Sequence, residues 1–307
     1  MNKICLKDQR KKVEEFMKRL KYLIILVISA ICLIVVTACE KKVSFTITIN
    51  PNFGDVDGAK VTLTNNDGKK SLIYNQTTQG TAVDFKKVVP GSYTLTVEHN
   101  DFFPFTQSDI TVNDTAAGHS VYLFMKGPGG GYVFYDKSFV SDGWRYLEAA
   151  PASSEFVAEW GAYRGSYIED DSFVGIDVLG TQTGIGFGKA NTQIINAKLS
   201  ELGETGRASQ LCSALNIGGK TDWFLPSKDE LDLMYVNLHK ASKGDFGKGT
   251  KSEGRMNWFY WSSSQPGNDI AIAWSQFLND GDPFFDAGDQ YTNDKATQLR
   301  VRAVRAF

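Results

Sequence analysis

The sequence predicts two domains behind an N-terminal targeting segment, an all-β sandwich followed by an α+β domain. Three observations predict it. Residues 43 to 126 carry short runs of period-two hydrophobicity separated by turn dipeptides. A Gly/Pro stretch, "GPGGG" at 127–131, then breaks the pattern. Beyond it the composition changes: all six Trp residues lie C-terminal to the break, and helix-period segments begin. The 307 residues suffice for two ordinary domains. A formal net charge of −2 offers no basic footprint for nucleic acid. With 42% hydrophobic and 22% charged residues, a folded body is expected rather than a disordered one.

The N-terminus reads as an export signal. Lys18, Arg19 and Lys21 precede an apolar run over 22–36, followed by Thr37, Ala38 and Cys39. The run is short for a spanning helix, which needs about 20 apolar residues. Val36-Thr37-Ala38-Cys39 resembles a bacterial lipobox. That resemblance implies removal of residues 1–38, acylation of Cys39, and a lipidated tether over 39–42 that makes the membrane the first partner. Met17 opens a more compact leader and is an alternative start. With Cys39 acylated, Cys212 has no partner within the mature chain. It is expected as a buried small hydrophobe on a helix rather than half of a disulfide.

Within 43–126 the strands follow one another. "VSFTITIN" alternates Val43, Phe45, Ile47 and Ile49 with polar residues, and "AKVTLTNNDGKK" ends in the tight-turn signal Asn66-Asp67-Gly68. Pro90-Gly91 turns the chain into the alternating Tyr93, Leu95 and Val97; "SDITVND" and "HSVYLFMK" complete the set. His99 and His119 are expected in turns, without companion metal ligands. At "VVPGSYTLTVEHNDFFPF" the module resembles the PEGA and carboxypeptidase-regulatory-like families, which implies a spacer or interaction module without chemistry.

After the 127–131 linker, residues 132–307 open with the strand "GGYVFYDK". Gly184, Gly186 and Gly188 alternate before the helical "KANTQIINAKLSEL", but their spacing is neither G-x-G-x-x-G nor a P-loop. "GRASQLCSAL" is a second helical pattern. A third begins at Ser227, whose spacing to Glu230 is that of a capping box; Asp229 and Glu230 are then first-turn acids rather than catalytic ones. "NWFYWSSSQPGN" (257–268) sets aromatic residues on both faces, the pattern of a strand in mid-sheet, with its three serines bonding backbone where the strand ends.

In chain order, "GGYVFYD", "GWRYLEAAP", "GFGKANT", "DWFLPSKDELDLMY", "YWSSS", "AWSQF" and "VRAVRAF" together resemble the Lcl C-terminal domain family over 128–307. This family lies within the C-type-lectin-like superfamily. The resemblance implies an α+β domain with two helices and a twisted antiparallel sheet, used as a binding head on bacterial surface proteins; characterised members bind sulfated polysaccharides. Two departures count. Gln265-Pro266-Gly267 stands where a calcium-dependent sugar site has a loop ending in an amide or carboxylate, and Asn279-Asp280-Gly281 reads as a hairpin turn. The oxygen set that could still suit calcium is Asp280, Asp282, Asp286 and Asp289; no cofactor is required.

The expectation is therefore a lipid-anchored protein of the bacterial envelope, at the outer membrane or cell surface. Its non-catalytic head would bind an extracellular glycan or matrix protein. Candidate contacts are the loop cations Arg164, Lys248, Lys251 and Arg255, with Gln265, Asn268 and Asp269 beside the serines. The alternative is a structural envelope protein acting through its sandwich. A serine hydrolase at Ser262–Ser264 fits poorly, because no G-x-S-x-G elbow is present and the only histidines are His99, His119 and His239.

Overall fold

The computed structural model describes residues 13–24, 41–67, 72–115, 118–164, 174–247 and 255–307. The apolar leader run beyond residue 24, Cys39, Lys248 and Lys251 lie outside the described residues. Residues 13–24 are helical and exposed. No helix among the described residues is long and apolar enough to cross a membrane.

Two compact units divide the chain. The first runs to Ile49 and includes Asp57–Val97 and Phe105–Val121; the second comprises Asn50–Val56, Glu98–Pro104 and Tyr122–Phe307. Seven strands form the N-terminal sandwich: β1 (Val43–Pro51), β2 (Lys60–Asn65), β3 (Ile73–Thr77), β4 (Ala82–Val88), β5 (Gly91–Glu98), β6 (Phe105–Val112) and β7 (Gly118–Leu123). They lie in two sheets of order β4-β1-β7 and β3-β2-β5-β6. The period-two pattern explains why. Phe45, Ile47 and Ile49 are buried on β1, and Tyr93, Leu95 and Val97 on β5, while the intervening Thr residues stay half-exposed. His119 corrects one expectation: it sits within β7, its ring nitrogen 3.1 Å from Gln107 Oε1, rather than in a turn.

The second unit contains β8 (Tyr132–Ser141), β9 (Trp144–Ala149), β10 (Phe156–Glu159), β11 (Tyr163–Arg164) and β12 (Val174–Gly175). Three helices follow, α1 (Gly188–Leu202), α2 (Ala208–Ser213) and α3 (Lys228–Asn237), one more than the family resemblance implies. The chain then returns as β13 (Phe259–Trp261), β14 (Ile272–Phe277), β15 (Gln290–Asp294), β16 (Gln298–Val301) and β17 (Val304–Ala306). A five-stranded sheet of order β10-β16-β13-β14-β15 carries β13 at its centre, and β17-β9-β8 form a smaller sheet. Antiparallel pairing dominates, but β13 runs parallel to β16 through Tyr260↔Arg300.

The central strand explains the aromatic run. Phe259 and Trp261 enter a core with Trp160, Ile195, Leu199 and Cys212; Tyr260 enters a second core with Phe224, Leu231, Met234 and Val304. A strand covered on both faces needs apolar bulk on both. It is shorter than "NWFYWSSSQPGN" suggests, because Trp258 belongs to a preceding 3-10 turn. Past Trp261 the pairing becomes irregular: Ser262 N–H and Ser264 O still bond the backbone of Trp274 (both 2.9 Å), while the Ser263 N–H donates to Pro226 O (2.7 Å), toward the start of α3.

Two further expectations change. The Gly/Pro stretch 127–131 is a closed turn within the second unit rather than a free linker. Gly127 N–H donates to Gly131 O (2.9 Å), and the fully buried Glu148 accepts the N–H groups of Gly129 (3.1 Å) and Gly131 (2.7 Å). A Cβ on Gly131 would lie 1.8 Å from Ala149 O, so close backbone approach, not flexibility, requires glycine there. Asn279-Asp280-Gly281 is not a tight hairpin turn; it begins the longer excursion between β14 and β15.

Candidate functional site

The capping box at the start of α3 organises a cleft of the second unit. Ser227 Oγ accepts the Glu230 N–H (3.3 Å), and Glu230 Oε2 accepts the Ser227 N–H (2.8 Å), as the spacing predicts. Glu230 does more than cap its own helix. Its other oxygen, Oε1, accepts the N–H groups of Gly186 (2.8 Å) and Gly188 (3.4 Å), where the chain enters α1. One buried carboxylate thus ties together the starts of two helices, and α1 has no side-chain cap of its own. The alternating glycines follow from this. Gly186 adopts a positive φ of 91°, and a Cβ on Gly188 would stand 2.2 Å from Glu230 Oε2. Burial pushes the Glu230 carboxyl up to about 7, against the N–H bonds that pull it down.

The cleft beside this carboxylate has a volume of about 340 Å³. Its mouth is formed by Trp144, Asp142, Lys189 and Gln193, its floor by Leu147 and Phe224. Trp144 reaches the cleft because Asp142 and Gly143, at φ 52° and 79°, close a two-residue hairpin turn between β8 and β9, with Ser141 paired to Trp144. Lys137 Nζ lies 3.8 Å from the Trp144 ring centroid and also donates to Ser141 O, which fixes the indole at the cleft's edge. Lys189 and Gln193 are exposed one turn apart on α1. An aromatic wall, an ammonium, an amide and a carboxylate converging on a half-apolar recess can recognise a polyhydroxylated ligand through one ring face and several hydrogen bonds. Neither Trp144 nor Lys189 was among the residues expected from sequence, although the Asp142-Gly143 dipeptide is a strong hairpin signal.

The sequence-predicted residues are spread elsewhere. Arg164 is exposed on β11, paired with Val174, and is not part of the cleft lining. Arg255 opens the 3-10 turn before β13. Asn268 and Asp269 are exposed in the loop after the serines, with Asp269 Oδ1 accepting the Ala271 N–H (2.9 Å). Gln265 faces inward: its Oε1 accepts the Val178 N–H (3.0 Å) and Lys295 Nζ (2.6 Å), and its Nε2 donates to Asp177 Oδ1 (2.6 Å).

Three of the four aspartates considered for calcium have partners of their own, and the fourth, Asp286, accepts the Asp289 N–H at its backbone carbonyl (3.1 Å). Asp280 pairs with His239 Nε2 (3.2 Å), Asp282 Oδ1 accepts the Phe284 and Phe285 N–H groups, and Asp289 Oδ2 accepts from Tyr291 Oη (3.5 Å). Among the described residues no three His, Cys, Asp or Glu side chains stand together as a metal set. The serines are fully buried and engaged. Ser262 Oγ donates to Trp274 O (2.9 Å), Ser263 Oγ accepts from Asn191 Nδ2 (3.1 Å), and Ser264 Oγ donates to Gln182 O (2.8 Å) while accepting the Lys228 N–H (3.1 Å). Cys212 is buried, and that burial raises its thiol well above the ordinary range, so it stays protonated.

Comparison with known proteins agrees with this layout. Residues 181–305 match the family model of the Lcl C-terminal domain, within the 128–307 stretch that resembles it. Residues 51–121 match the second beta sandwich domain of the BOS complex subunit NOMO1-like family, a sandwich as expected, though from another family than the PEGA-like ones. No curated protein matches the chain. Among solved structures, a fimbrial protein from Bacteroides ovatus aligns at 10% identity and a TM-score of 0.38, over 87% of this chain and 71% of its own. A type II cohesin–X–dockerin complex from Acetivibrio cellulolyticus aligns at 17% identity and a TM-score of 0.21, over 27% of this chain and 58% of its own, less than two thirds of that length.

Proposed function

We propose that this chain, an Lcl C-terminal domain carried behind a β-sandwich, is a surface protein of adhesion type. In this reading Cys39 is lipidated and holds the mature protein in the bacterial cell envelope. The second unit is a lectin-like, non-catalytic head that binds an extracellular glycan in the cleft at Trp144. The observation that carries the reading is that cleft: one indole held at its rim by Lys137, with Lys189, Gln193 and Asp142 around it. Sugars present apolar ring faces that stack on indole and hydroxyl edges that bond to such groups. The engaged hydroxyls of Ser262–Ser264 support a non-catalytic reading, since each already serves backbone or amide partners. Calcium enters as no part of this proposal.

The binding claim is tested by passing the purified chain from residue 40 onward over immobilised polysaccharides and matrix proteins. Retention by a polysaccharide supports it, whereas retention by none of these surfaces counts against a binding head. The anchor is tested separately. Cys39→Ala abolishes metabolic labelling with a fatty acid, and labelling that persists in this variant removes the lipoprotein reading. Protease shaving of intact cells then reports whether the head is outside.

The second reading is a structural envelope protein that works through the sandwich. Its test is co-purification of envelope proteins by the whole chain when the Trp144 cleft is blocked by substitution.

A further inference from the structure

Lys295 is buried, and among the described residues no carboxylate is in hydrogen-bond contact with it. It sits in the turn between β15 and β16, where a polar turn residue would ordinarily face solvent, yet it is fully buried. Its backbone is pinned on both sides: its N–H donates to Ala271 O (3.0 Å), and its carbonyl accepts the Trp160 (3.0 Å) and Gly161 (3.1 Å) N–H groups. The side chain therefore has a fixed direction. Nζ stands 4.7 Å from the Trp160 ring centroid, 2.7 Å from Ile176 O and 2.6 Å from the carboxamide oxygen of Gln265.

Three kinds of group that acyl transfer uses meet at that carboxamide, with Lys295 Nζ on its oxygen. The oxygen accepts the Val178 N–H (3.0 Å), a donor placed where negative charge develops when a nucleophile adds to the carbonyl. The nitrogen donates to Asp177 Oδ1 (2.6 Å), a carboxylate in position to carry a proton to it. Burial shifts the amine toward its neutral, nucleophilic form.

We propose that Lys295 and Gln265 join in an intramolecular amide cross-link, formed by the protein itself with Asp177 as the proton carrier. The neutral Nζ adds its electron pair to Cδ of Gln265. Asp177 takes a proton from the adding amine and delivers it to Nε2, and the Cδ–Nε2 bond breaks to release ammonia. One C–N bond forms and one breaks, with no oxidant or reductant, and the carboxylate is restored. Burial lowers the Lys295 ammonium to about 8, against the opposing influence of Asp177, Asp269 and Glu204, so the neutral amine is accessible under mildly basic conditions. The link would tie the end of the serine segment to the β15–β16 turn, restricting the unfolded chain as a disulfide does.

The experiment is intact-mass and peptide analysis of the purified chain after incubation above about pH 8, where the amine is neutral. The expected result is a mass lower than the sequence mass by one ammonia, with a branched peptide joining the segments that contain Gln265 and Lys295. Lys295→Met retains the full sequence mass. Asp177→Asn leaves amine and amide in place and slows the loss of ammonia by about 100-fold. The wild-type peptide map needs no variant to fold and decides by itself. An unchanged mass after prolonged incubation overturns the proposal and leaves an ordinary hydrogen-bonded ammonium. Loss of ammonia that maps elsewhere in the chain overturns it equally.

Discussion

Glu155→Ala lowers the stability of the second unit by about 3–5 kcal/mol, the range for stranding a buried charge. Glu155 precedes β10 and is the shared anion of a buried cluster. Its Oε1 accepts Arg300 Nη1 (2.7 Å), and its Oε2 accepts Arg302 Nη2 (2.6 Å), Arg302 Nε (3.1 Å) and Tyr260 Oη (2.9 Å). Arg302 is almost completely buried, packed 4.5 Å from the Phe246 ring centroid, and its remaining bonds run to the carbonyls of Ala150 and Gly244. Without Glu155 its guanidinium keeps only neutral acceptors, and desolvation of the charge is no longer offset. Thermal melting should show a fall of roughly 10 °C or more. Pairing the change with Arg302→Met should recover much of the loss, because an apolar pair tolerates the site better than a lone charge. A single variant that melts within a degree or two of wild type would refute this account of the cluster.

Glu230→Ala comes second, with an expected loss of about 3 kcal/mol. The side chain accepts N–H groups from Ser227, Gly186 and Gly188, and truncation leaves these donors, those of Ser227 and Gly188 buried, without it. Because α1 has no other side-chain cap, the loss spreads to the cleft wall. The same residue gives a pH signature. Its folded carboxyl lies at about 7, above the ordinary 4.5. A group raised in this way stabilises the fold fully below its unfolded value and loses that contribution as pH rises through the folded one. Stability therefore declines between about pH 4.5 and 7, by up to about 3 kcal/mol. Asp136 and Asp222, held below the ordinary carboxylate range by Arg145 and Arg305, titrate under this window and act with the opposite sign. Denaturant titrations at several pH values should show the decline in wild type and a flat line in Glu230→Gln. A decline of equal size in that variant would assign the slope to another group.

These residues also show what the sequence made legible. The capping box was readable because both of its partners lie within one helical turn, so local spacing determines the contact. Strand alternation was readable in β1 and β5, where one face meets the core and the other meets water. The two-sided aromatic run of β13 announced a central strand for the converse reason. The long-range uses of the same residues were not legible. Nothing in Ser227-x-x-Glu230 says that the glutamate also holds Gly186 and Gly188, more than 40 residues earlier. Composition alone reads 127–131 as a linker, but glycine serves close backbone approach as readily as a loose connection, and only Glu148, from β9, decides between them. Lys295 lies in "TNDKAT", a polar turn by any local rule, and only the fold places it against Trp160. The candidate ligand contacts were chosen as loop cations, whereas the cleft draws on one hairpin tip and one helix face.

The central claim is that the head binds its ligand at Trp144, and affinity measured on matched variants tests it most directly. With the polysaccharide that the purified chain retains best, titration of wild type, Trp144→Ala and Lys189→Ala gives the dissociation constants. The account predicts at least roughly tenfold weaker binding for Trp144→Ala, the effect of losing an aromatic anchor worth more than about 1.4 kcal/mol. It predicts a smaller but clear weakening for Lys189→Ala, whose exposed side chain leaves stability unchanged. Both variants binding as tightly as wild type, while remaining folded, would contradict it and move the ligand to another face of the head.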